Sequence, residues 1–229
     1  MISMEHAVRI SEIILAIAYV QQSAEYLRGL QSERIIGAVR LILSILLLVG
    51  FQTIYVEIGL LVIAMILLQR FQGPYNGGSD CMSILVLLCL FLSHIAPTNF
   101  WKEIALGYLA FQLMFSYFQS GYIKVINSDW RNGRALQDVF TITAYPVSEN
   151  IRRWAKSPRL MFIMSWIVIL FELLFPLALL HQSLLITTLV VAAIFHLANA
   201  LLFGLNRFFW IWPAAYPIIL WFQARIFAG

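Results

Sequence analysis

Charge is what this sequence has least of. Asp, Glu, Lys and Arg together make up 11% of its 229 residues, while 62% are hydrophobic and the mean hydropathy is +0.85. Soluble domains carry about a quarter charged residues, and no single soluble domain of this length could bury so much apolar surface. A water-soluble globular fold is excluded. Cysteine is scarce too. Cys81 and Cys89 stand eight residues apart, which is no zinc spacing. On a helix they would be about 12 Å apart, too far for a disulfide, so they read as small core residues.

Other signals are missing as well. The first apolar stretch holds Glu12, Gln21, Gln22 and Glu25 and lacks a small-residue cleavage site, so no cleavable signal peptide is expected. The first hydrophobic helices would themselves drive insertion. No Ser-His-Asp order, metal-ligand cluster or phosphate-cradling glycine loop stands out. Hydrolase, metal and nucleotide chemistry therefore have no sequence support. The net charge of +4 reads as basic cytoplasmic loops rather than as nucleic-acid binding, since no aromatic-basic run lies outside the apolar segments.

What is present is a series of long apolar runs. Residues 7–27, 35–51, 52–68, 82–95, 100–127, 159–181, 183–205 and 208–227 predict an all-α, polytopic transmembrane bundle of about eight spans, forming a single domain over 1–229 with no soluble domain. Residues 28–34 read as a short charged link, and FQGPYNGGSD as a loop, because Gly-Pro and Asn-Gly-Gly are turn signals. Residues 128–158 are the only long polar segment, with an apolar stretch at 136–145. Pro176, Pro213 and Pro217 are expected to kink their helices. Arg131, Arg134, Arg152, Arg153, Lys156 and Arg159 cluster around the link between the fifth and sixth spans. That link is expected to be cytoplasmic, with both termini on the opposite side.

Polar residues inside such runs are expensive and therefore informative. Lys124 comes about one turn before the fifth run ends, and stepping back in fours reaches Ser120, Ser116 and Gln112. Residues four apart share a helix face, so these form one polar stripe. Two readings stand: an ammonium reaching to the interface, or a site group in a polar pocket. Glu172, near the middle of the sixth run, either tethers helices through Arg40 or His196 or serves the site as proton acceptor. His196 and Asn199 share a face of the seventh run beside Ala192 and Ala200, where small residues permit close helix approach. They bond across that contact or line the site. Asp80 is either a turn and cap residue or a site residue. Trp130 is either an interface anchor or a lid.

The stretch YFQSGYIKVINSDWRNGRAL, Tyr117 to Leu136, carries a resemblance. Ser120-Gly121, Lys124, Trp130, Gly133 and Ala135 resemble the signature of the vitamin K-dependent γ-carboxylase-like, or HTTM, membrane domain. Gly77-Gly78-Ser79-Asp80, Glu172 and FHLANALLFGL (Phe195–Leu205) match further pieces in the same order. The resemblance implies that Lys124 is a base, a role for which a lysine amine must be neutral. It implies His196 and Glu172 as its catalytic companions. Gln112, Ser116, Ser120, Asn199, Trp130 and Asp80 would bind substrate or cofactor. The implied chemistry starts when lysine deprotonates a reduced quinone (menaquinol or vitamin K hydroquinone) and oxygen adds. The strong base so formed removes a proton from a peptide glutamate, which captures carbon dioxide. The animal carboxylases carry a large extracytoplasmic domain after their helices, whereas this chain stops at Gly229. The expectation is therefore a short form similar to the membrane component of the sporulation-delaying-toxin maturation system, working on a peptide with a small partner protein. It would lie among the lipids of a bacterial cell membrane, with no nucleic acid involved. The alternative implied is a non-catalytic membrane subunit for peptide-toxin (bacteriocin) maturation, export or immunity.

Overall fold

A computed structural model describes residues 2–70, 77–143 and 149–227. It is all-α, with no strand among the described residues. The helices sort into two compact units: Met1–Ala110 with Asn206–Gly229, and Phe111–Leu205.

In the first unit, α1 (Met4–Tyr26) packs against α2 (Gln31–Val49) and α4 (Gly77–Ile95), and also against α11 (Asn206–Ile211) and α12 (Tyr216–Phe227). Its interior face steps through Val8, Glu12, Leu15, Tyr19 and Gln22, spacings of four and three that keep one helix face turned inward. Ser3 caps α1, its hydroxyl accepting from the His6 amide at 3.2 Å. Helix α2 begins at Gln31, so the expected link over 28–34 shortens to the turn before it. The helix ends at Gly50, whose φ of +77° is the left-handed conformation that glycine adopts without strain. Helix α3 (Thr53–Arg70) follows. Of the expected loop FQGPYNGGSD, residues 71–76 lie outside the described residues. Gly77–Asp80 is not loop but the first turn of α4. The eighth run is broken: Pro213 lies in a 3-10 segment, Trp212–Ala215, and Pro217 in the first turn of α12. A proline there has no amide hydrogen to waste and presets the entering turn.

In the second unit, α5 (Asn99–Ile126, from Phe111 onward) is followed by short helices α6 (Ser128–Arg131), α7 (Arg134–Ile142) and α8 (Glu149–Arg152). Then come α9 (Pro158–Leu174) and α10 (Gln182–Phe203). Within the polar segment, α7 buries Leu136 and Phe140 against Met161 and Ala155, and the Phe140 ring meets Phe203 edge-on at 4.8 Å. The expected apolar stretch 136–145 is thus a packed amphipathic helix as far as Ile142, and its last two residues lie outside the described residues. Helix α9 tightens into a 3-10 segment, Phe175–Leu180, at Pro176.

Helices α9 and α10 show how such a chain handles its surface. Met161, Ser165, Ile169 and Glu172 face inward on α9, and Leu185, Leu189, Ala192 and His196 on α10. The opposite face of α10 carries Ile186, Val190, Ile194, Leu197 and Leu201, all exposed. A fully apolar exposed stripe the length of a helix would aggregate in water and is at home in lipid. Among the described residues, three helical stretches are long and apolar enough to cross a membrane: Gly78–Ile95, Pro158–Leu180 and Gln182–Phe203.

Candidate functional site

The second unit brings four of the expected residues together. Lys124 Nζ donates to both carboxylate oxygens of Glu172, at 2.7 and 3.0 Å, and lies 3.4 Å from the Ser120 carbonyl. The ammonium is 5.2 Å from the Trp130 ring centroid, on its face, an attraction of about 0.5–2 kcal/mol depending on desolvation. The Glu172 side chain is 5% exposed and that of Lys124 18%, so the pair is largely withdrawn from solvent. Removing one partner from a buried pair typically costs about 3–5 kcal/mol, because the other charge is left uncompensated.

Two glycines make this contact possible. A Cβ on Gly121 would lie 2.6 Å from the Leu173 amide nitrogen and 3.0 Å from the Glu172 carbonyl carbon. Only a residue with no side chain lets α5 approach the α9 backbone so closely, and that approach sets Glu172 beside Lys124. Gly133 has φ of +77°, and a Cβ there would meet the Phe162 amide at 2.6 Å, which holds the segment after α5 on the start of α9. The Ser165 hydroxyl donates to the Trp130 carbonyl, and the Trp166 indole to the Arg131 carbonyl at 3.0 Å. Arg131 in turn donates to the Val125 carbonyl at the end of α5 (3.0 Å), and the Asn127 side chain accepts from the Asp129 amide. The Ser-Gly, Lys, Trp and Gly motif is thus one mechanical unit: a close helix crossing, a charge, a roof and the turn that positions the roof.

His196 belongs to a neighbouring group. Its Nε2 and the Tyr117 hydroxyl share a hydrogen bond of 2.7 Å. Tyr117 stacks on Phe175 with centroids 4.0 Å apart and meets Phe171 edge-on, while Phe195 packs against both Phe171 and His196. Tyr117 and Lys124 are seven residues apart on α5, two turns along one face. Glu172 is paired with Lys124, while Arg40 instead bonds Gln22 and lies over Tyr19 in the first unit.

The other expected residues are placed differently. Gln112, Ser116 and Ser120 are half-buried at the flank, and the inward face of α5 runs through Leu113, Tyr117 and Gly121. The Ser116 hydroxyl bonds back to the Leu113 carbonyl. Asn199 is half-buried three residues after His196. Asp80 lies in the first unit, 3.7 Å from Arg207. Tyr117, Phe171, Phe175 and Ser165 were not singled out from sequence. A tyrosine hydroxyl placed two turns before a costly lysine is the signal that could have found the first of them.

Exposed apolar stripes around helices long enough to span, with a charge pair sequestered inside, define an α-helical membrane protein. The family model described as HTTM domain matches residues 93–223, more than half of the chain, and the chain belongs to that family. No curated protein and no solved structure matched it.

Proposed function

We propose that this protein modifies a peptide at the membrane, with Lys124 and Glu172 acting together as a proton-accepting pair. One observation carries the reading. A lysine inside an apolar unit is held by a single carboxylate, under an aromatic roof, in the motif that the γ-carboxylase-like resemblance marks for the base. The oxygens of Glu172, 2.7 and 3.0 Å away, are within reach of any proton the lysine must give up to become competent. The aromatic wall of Tyr117, Phe171, Phe175 and Phe195 beside a hydrogen-bonding histidine suits a flat, reduced quinone headgroup, the apolar wall for its ring and the polar atoms for its hydroxyls. Bound there, such a quinol would supply the reducing power and the acidic hydroxyl. Lys124 would take that proton, His196 and Tyr117 would orient the ring, and Trp130 would shield the pair from water. About eight spans in a bacterial cell membrane, and a small partner that presents the peptide, complete the proposal.

A second reading is favoured by the same closed geometry. An ammonium held by both oxygens of a carboxylate also makes a good tether, which would suit a non-catalytic subunit for peptide-toxin maturation, export or immunity. Substitution separates the two. Arginine can keep the pair with Glu172 but stays protonated and cannot act as a base. Under the enzyme reading, Lys124→Met and Lys124→Arg both lower peptide maturation by about 10²–10⁴-fold, the usual contribution of a positioned base, while the protein still accumulates in the membrane. Full function in Lys124→Arg would establish the tether. Mass spectrometry of the detergent-extracted protein, looking for a co-purified quinone, tests the cofactor.

A further inference from the structure

The first unit contains a second polar centre that the motif does not touch. Glu12 on α1, Glu57 on α3 and His94 on α4 converge, with one ligand-capable atom of each within 4.8 Å of the others. His94 Nε2 is 2.6 Å from Glu12 Oε1 and 3.6 Å from Glu57 Oε1. The Glu57 side chain has no exposure at all, and neither of its oxygens has a hydrogen-bond partner among the described residues. One imidazole nitrogen carries at most one proton, and it is directed at Glu12. Glu57 is left as a buried carboxylate aimed at the cluster, approached by His94 only at 3.6 Å and without a hydrogen bond among the described residues, an arrangement that costs several kcal/mol or more in an apolar surrounding.

We propose that Glu12, Glu57 and His94 bind one divalent transition-metal ion. One imidazole and two carboxylates form a donor set suited to zinc, manganese or iron. Ligand atoms about 2.0–2.2 Å from an ion are separated by roughly 3–3.5 Å at open bond angles, so the observed spacings bracket those required. The ion answers the Glu57 problem directly, since a cation satisfies both oxygens without a proton. The surrounding groups orient the ligands. Arg9 donates to Glu12 Oε2 at 2.7 Å, and to the carbonyls of Leu47 (2.9 Å) and Leu48 (2.6 Å) at the end of α2. Arg9 thereby holds Glu12 Oε2 and leaves Glu12 Oε1 turned toward the cluster, the role outer partners play at metal sites. A cavity of about 380 Å³, lined among others by Glu5, Glu12, Ser93, His94 and Lys102, gives an access route and room for water as further ligands. Such an ion would join three helices that no nearby motif connects. The inference is independent of the lysine pair.

The test uses the full chain, purified in detergent, stripped with chelator and titrated with Co²⁺, whose visible absorption reports carboxylate and imidazole ligation. One saturable Co²⁺ per chain, displaced by Zn²⁺, is expected. Glu57→Gln, nearly isosteric, and His94→Gln should each weaken binding by more than the roughly 10–100-fold that losing an outer partner costs. His181→Gln, which alters a surface histidine bonded to Ser183, should bind as wild type does. Zn²⁺ should raise the melting temperature of the wild type but not that of Glu57→Gln. Binding well below one ion per chain in the wild type overturns the proposal even if no variant folds. So does equal binding by Glu57→Gln and wild type.

Discussion

Adding one methyl group at Gly121 tests whether the close helix crossing builds the lysine site. The alanine Cβ would lie 2.6 Å from the Leu173 nitrogen and 3.0 Å from both the carbonyl carbon and the Cβ of Glu172. Unstrained carbon contacts lie near 3.5–4.0 Å, so α5 and α9 must part by about 1 Å, and backbone atoms cannot swing aside as side chains do. Overpacking of this kind costs about 1–3 kcal/mol, and the rigid neighbour puts Gly121 at the upper end. The gain from replacing a mid-helix glycine offsets about 0.5–1 kcal/mol, which leaves a net loss near 2 kcal/mol. Gly107 is the control, because a methyl there meets only the edge of the Phe222 ring at 3.1 Å, and a ring can turn. Gly107→Ala should be neutral or slightly stabilising. At about 2–4 °C per kcal/mol for a chain of this size, Gly121→Ala should lower the apparent melting temperature in detergent by roughly 4–8 °C. It should also reduce maturation, because the same separation draws Glu172 away from Lys124. Thermal scans read by size exclusion would measure this. If Gly121→Ala melts at or above the wild type while Gly107→Ala melts below it, the reasoning from backbone proximity is wrong.

Two further outcomes are expected. Tyr117→Phe removes only the hydroxyl shared with His196; stability should fall by about 0.5–1.5 kcal/mol, with quinone retention in the purified protein lowered while Lys124 stays paired. A cysteine at Asn150, in a Cys81→Ser background, should resist an impermeant thiol reagent in intact cells if the link is cytoplasmic, as its basic residues lead us to expect; labelling would show the opposite topology.

The long helices of this protein were legible because each follows an apolar run, and Lys124, Glu172 and His196 because each interrupts one. The phase of α5 was harder to read. Stepping by fours from Lys124 to Gln112 rotates about 40° per step at 3.6 residues per turn, so three steps drift by about 120°. The inward face instead steps by four and then three, through Gly121, Tyr117 and Met114, and the glycine decides it. Glu12, Glu57 and His94 escaped for another reason: they stand on three helices, and nothing in spacing joins residues so far apart in the chain. The lone acid of the third run, Glu57, was the available clue, by the same logic of cost that marked Glu172. The 3-10 segment at Trp212–Ala215 could be placed at Pro213, but its length could not, because the surrounding packing sets where the helix resumes.

The pairing of Lys124 with Glu172 bears on how the protein is made. The two residues are 48 positions apart, so the ribosome finishes the lysine-bearing helix well before the glutamate-bearing one exists. A single charge at a helix centre opposes insertion by about 2.5–3.5 kcal/mol on the translocon scale, less toward a helix end. Under the eight-span proposal, each helix on its own would enter lipid at a disadvantage that the other removes. If both helices span as proposed, the same ion pair that organises the mature site would also favour release of the two helices into the bilayer as a joined pair.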